Sequence, residues 1–183
     1  TVNIAIGGGA HRTAFEYLMA KGNGNKDIVK PVKFNGPQPA VQSVASFDPK
    51  LGGTEFGIMP IAVAKALIDA GKVKPIGFTG TRKMPQFPNV LLNTVAPGIN
   101  VYAAWSIQLP PGTDKEIVAW YQQKFSAAVR SAEYKEYIDA NVIFYAEDEL
   151  NPAGLKKHMD ELRAAFIPVL SKIDLSKEWN ISL

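Results

Sequence analysis

The residues best suited to chemistry lie at the start of the chain, in Ile6-Gly7-Gly8-Gly9-Ala10-His11-Arg12-Thr13. Consecutive glycines let backbone N–H groups turn toward one point without Cβ clashes. A helix following such a loop adds its unpaired N–H groups and its partial positive end, a combination that suits a carboxylate or a phosphate. Arg12 can grip an oxyanion through two parallel hydrogen bonds, and Thr13 offers a hydroxyl. The same residues also fit a plain tight turn between strand and helix, with His11 and Arg12 directed into water. A dinucleotide site is disfavoured. Gly7 and Gly9 fill the first two positions of G-x-G-x-x-G, but Arg12 stands where a third glycine must let the helix approach the strand. The phosphate-loop pattern fails as well, because no G-K-[ST] is present.

No catalytic constellation is visible elsewhere. The chain has no G-x-S-x-G elbow, and neither His11 nor His158 has a Ser and Asp partnership that spacing reveals. His158, within Lys156-Lys157-His158-Met159, reads as the polar, solvated flank of a helix. Glu147-Asp148-Glu149 reads as an exposed run or a helix-dipole feature ahead of Asn151. Paired carboxylates for glycoside hydrolysis cannot be picked out. The expectation is a protein that is not an enzyme and needs no cofactor.

Composition narrows the classes further. The chain has 183 residues, no cysteine and two histidines. Disulfides, thiolate metal sites and cysteine nucleophiles are excluded, and a multi-histidine metal centre is disfavoured. At this length a chain buries roughly 70% of its unfolded surface, so its core needs no covalent or metal staple. No apolar run approaches the ~20 residues of a membrane-spanning helix. The pI of about 9.0 suggests nucleic acid, but the net charge is only +3. Lys21, Lys26, Lys30 and Lys33, the densest basic stretch, lack the arginine and aromatic interleaving of a strand-binding surface. They read as solvated surface that can still draw in small anions.

The elements that must position the glycine loop follow from periodicity. Val2, Ile4 and Ile6 alternate as a strand ending at the glycines, and a helix is predicted over 10–20. Ile28 to Phe34 is a second strand, which Pro31 demotes to an edge or a bulge. Asn35-Gly36-Pro37 reads as a turn, and a polar loop surrounds Ser46 to Gly53. Phe56 to Met59 is a third strand, with Pro60 opening a helix that carries Ile61, Ala64, Leu67 and Ile68. Pro75 to Thr79 is a fourth. This succession predicts an α/β fold with a mainly parallel sheet covered by helices. Beyond it, Tyr102 to Leu109 and Val142 to Tyr145 read as strands. Thr113 to Glu116 has the spacing of a capping box, and helices follow over 117–129, 132–140 and from Asn151-Pro152 onward, the last kinked at Pro168. The apolar stripe Ile117, Trp120, Tyr121, Phe125, Ala128 and Val129 needs a surface to cover, and the late strands are too few to provide one.

The ordered set of motifs resembles the second half of the substrate-binding receptors of tripartite tricarboxylate transporters, the Bug-type periplasmic receptors. Ile4 to Leu18 matches that family's strand, Gly/Ser-rich loop and helix. Val32-Lys33-Phe34-Asn35-Gly36-Pro37-Gln38-Pro39-Ala40 resembles its V-P-Y-K-G-x-x-P-A segment. Gly52 to Phe56, Pro60 and Ala70 to Thr79 are similar to its G-G-x-V-D strand, proline-started helix and A-G-K-L-R-A-L-A-V-T segment. Arg82, Pro88-Asn89-Val90, Trp105 and Leu109 to Thr113 complete the series over nearly all of the chain. Ala10-His11-Arg12 departs from the family's Ser-bearing loop and makes a more cationic mouth.

The resemblance implies a type II periplasmic-binding-protein-like fold, apparently truncated at the N-terminus, with the first lobe outside this chain. Residues 1–101 would be the second ligand-binding lobe, and 102–183 would return to complete the first. It implies an extracytoplasmic, periplasmic receptor that closes around a small carboxylate and docks on a membrane permease; the charge pattern above adds the expectation of no nucleic-acid partner. On that basis Gly8, Gly9, Ala10, His11, Arg12 and Thr13 contact the ligand. Met59 and Pro60 lie by the same crevice at a strand's end, and Phe34 and Thr79 are candidate wall residues. Dimerisation through uncovered stripes is a further expectation. The alternatives are an enzyme of the same fold using His11 as acid or base, and a sensory or interaction domain.

Overall fold

The computed structural model describes residues 1–80, 83–91 and 105–171. The chain divides into two compact units, one of Thr1–Ala103 with Ala164–Leu183 and one of Ala104–Arg163.

The first unit is α/β. Strands β1 (Val2–Ile6), β2 (Val29–Lys33) and β3 (Phe56–Ile58) form a parallel sheet in the order β2-β1-β3. Helices α1 (Gly9–Lys21), α2 (Pro37–Ala45) and α3 (Ile61–Asp69) follow the three strands in turn. Ala5 and Ile6, neighbours that face opposite sides of the central strand, are both completely buried, so both faces of the sheet are covered. Ala14, Phe15 and Tyr17 of α1, Ala40 and Val41 of α2, Ala64 of α3 and Leu170 are the other buried apolar residues among those described in this unit. Pro31 sits opposite Ile4 on the edge strand β2, as its missing N–H requires. Tyr17 meets Phe166 edge-on, at 5.5 Å between ring centroids.

Several expected elements differ. Residues 37–45, read as a turn and the approach to a loop, form α2. Pro37 takes the first helical position behind Gly36, a place where its missing N–H costs nothing. Pro60 is the extended residue just before α3, not part of its first turn. Among the described residues, Pro75 to Thr79 forms a single parallel bridge, Gly77 with Leu91. Residues 105–109 are irregular, while 102–104 of the same strand reading, and Arg82, lie outside the described residues.

The second unit contains α4 (Lys115–Val129), α5 (Ala132–Asn141), a short 3-10 turn (Glu147–Glu149) and the start of α6 (Pro152–Leu170). Asp114, not Thr113, caps α4. Its Oδ1 accepts from the Glu116 N–H at 2.7 Å, while the Thr113 hydroxyl donates to the Pro110 carbonyl. Ser131 caps α5, and Asn151 Oδ1 accepts from the Gly154 N–H at the start of α6. Val142, read as the start of a strand, ends α5 in the left-handed region at φ 55°, a conformation that a β-branched residue rarely adopts. Pro168 lies inside α6, which continues to Leu170. α4 turns Val118, Gln122, Ser126 and Val129 inward. Ile117, Trp120, Tyr121 and Phe125 remain exposed, Trp120 by 53%.

Gly7 fixes how the first unit closes. A Cβ there would stand 2.5 Å from Pro37 Cα and 2.7 Å from the Gly36 carbonyl carbon. Both sides of that contact are backbone, so no rotamer change relieves it. Gly8 has room, since its Cβ would meet only the His11 ring at 3.7 Å, and its φ of 167° is open to any residue. Gly7→Ala is expected to cost about 2–3 kcal/mol in urea unfolding, and Gly8→Ala less than about 1 kcal/mol. Equal effects would contradict this packing.

Candidate functional site

The carboxyl ends of the three strands lie along one edge of the sheet, because all are parallel. β1 runs into Gly7 and Gly8, β2 into Phe34, and β3 into Met59 and Pro60. The chain leaves β1 for β2 on one side and returns to β3 on the other. The ends of β1 and β3 therefore flank the position at which open parallel sheets leave a crevice.

Three helices begin at this edge, and none has a side-chain cap or an acidic residue in its first turn. In the second unit, α4 and α5 have both: Asp114 with Glu116, and Ser131 with Glu133. The three bare starts differ in the donors they offer. α1 brings the amides of Gly8, Gly9, Ala10 and His11, which a helix leaves without internal partners. α3 brings Ile61 and Ala62, since Pro60 has no N–H and the Val63 amide bonds the Pro60 carbonyl. α2 brings chiefly Gln38, because Pro37 and Pro39 have no N–H and the Gly36 amide bonds the Phe34 carbonyl. Ala10 is exposed, so the richest of the three starts is open to solvent.

The side chains expected to grip an anion are turned elsewhere. Arg12 is 6% exposed and Glu16 only 1%. Arg12 Nε and Nη2 approach Glu16 Oε1 at 2.7 and 2.5 Å, and Lys26 Nζ holds Glu16 Oε2 at 2.5 Å. The guanidinium also lies 5.6 Å from the Phe15 ring centre. The expected oxyanion partner of Arg12 is thus matched inside the protein by Glu16, four residues along the same helix. The Thr13 hydroxyl donates to the Gly9 carbonyl at 3.0 Å, inside its own helix. The amides of the α1 start carry no such internal engagement within the helix.

His11 stands in the first turn of α1 with its Nδ1 buried and without a hydrogen-bond partner, against Gly8. Burial lowers its pKa from the ordinary 6.5. Phe34 is half-buried directly after β2, its amide bonded to the Ile6 carbonyl, and belongs to the same edge. Thr79 follows the isolated Gly77 bridge and does not sit at one of the three strand ends. His158 is not the solvated residue expected: its side chain is 12% exposed, with Nδ1 3.4 Å from Glu149 Oε1. Glu147 is paired through three hydrogen bonds to Arg130, whose guanidinium holds that carboxyl below the usual range.

Gln38 and the start of α2 escaped the sequence reading, although Gly36-Pro37 followed by Ala40, Val41 and Val44 carries a helix-start signature. The Arg12–Glu16 pair was also legible from its i, i+4 spacing. No family model, curated protein or solved structure matches this chain.

Two outcomes follow for stability. Glu16→Ala strips Arg12 of its buried carboxylate partner and should cost about 3 kcal/mol. Lys26→Ala removes a half-exposed ammonium and should cost less than about 1 kcal/mol in the same denaturant titration. For His11 the folded pKa lies below the unfolded one, so the unfolded chain binds more protons between the two values and stability rises with pH there. The melting temperature should fall as pH drops below 6.5, and His11→Asn should flatten that slope. An unchanged slope in the variant would remove His11 as its cause.

Proposed function

We propose that this chain is the ligand-gripping part of an extracytoplasmic solute-binding protein that captures a small carboxylate for a tripartite tricarboxylate-type transporter. The observation that carries the binding half is the set of three uncapped, acid-free helix starts gathered on the carboxyl edge of a parallel sheet. Backbone donors with helix dipoles behind them stabilise an anion without a nucleophile, a metal or a bound cofactor. The open parallel sheet flanked by helices is compatible with a type II periplasmic-binding-like lobe. The carboxylate would lie against Gly8, Gly9, Ala10 and His11, with Met59, Pro60 and Phe34 around it and Thr79 farther along the wall. Arg12 would support α1 from within while the backbone makes the contact.

The transporter, the periplasmic location and the permease partner rest on the motif resemblance alone. Closure would bring a second lobe over the same edge. The buried Nδ1 of His11 favours one rival, an enzyme of the same fold in which a neutral imidazole handles a proton.

Calorimetric titration with a panel of mono-, di- and tricarboxylates tests the proposal through Ala10→Glu. This substitution places a carboxylate among the α1 amides, where it suits the helix dipole but occupies the anion's place. Expected are saturable binding to the parent chain, at least a ten-fold loss in Ala10→Glu, and a melting temperature no lower than the parent's. Equal binding by both would move the ligand elsewhere. Conversion of the ligand to product, lost in His11→Ala, would replace the receptor with the enzyme.

A further inference from the structure

We draw no further inference here: the strongest candidate, the exposed apolar face of α4 formed by Ile117, Trp120, Tyr121 and Phe125, carries none because nothing in the structure shows what covers it.

Discussion

The contact between Gly7 and the Gly36–Pro37 backbone sets the geometry of the sheet's carboxyl edge, the proposed site. It presses the exit of β1 against the entrance of α2, at a separation that leaves no space for a Cβ. Two helix N-termini that belong to different crossovers are thereby drawn to the same end of the sheet. The donors presented there cannot be satisfied by one another, since all are N–H groups with the same polarity. Solvent or an anion must satisfy them. The absence of capping side chains at these three starts leaves that choice open, whereas α4 and α5 settle it with Asp114 and Ser131.

The buried pair of Arg12 and Glu16, joined from the surface by Lys26, complements this arrangement. A charge-bearing helix that covers a sheet must either expose its charges or pair them. α1 pairs them: both oxygens of Glu16 are occupied, one by each cation. The pairing places Arg12 on the inner side of α1, next to Phe15, and anchors the loop carrying Lys26 to the helix before β2 begins. The result is an α1 whose interior is electrostatically closed and whose first turn remains bare.

Much of the first unit was legible because its signals are local. Period-two alternation gave β1, the glycines ended it, and Pro31 marked the edge strand. α2 was hidden by its own opening: Asn35-Gly36-Pro37 is turn chemistry, and only the packing against Gly7 decides that the chain continues as a helix. Val142 to Tyr145 has strand-like composition, but β propensity expresses itself only where a neighbouring strand supplies partners. Val142 instead takes a left-handed cap that no propensity scale would assign to it. The fate of Arg12 was half visible, in its spacing from Glu16. The contribution of Lys26 depends on how the loop between α1 and β2 folds back, which no local pattern encodes.

The central claim is that backbone amides at the carboxyl edge of the sheet hold the carboxylate. Amide-resolved NMR titration of the 15N-labelled chain with a tricarboxylate tests it most directly, because the responding donors are themselves the observed signals. The account predicts saturable shifts at Gly8, Gly9, Ala10 and His11, with smaller ones at Gln38, Ile61 and Ala62, and none at the starts of α4 and α5. Shifts confined to lysine-rich surface segments, or spread evenly over all five of these helix starts, would contradict it.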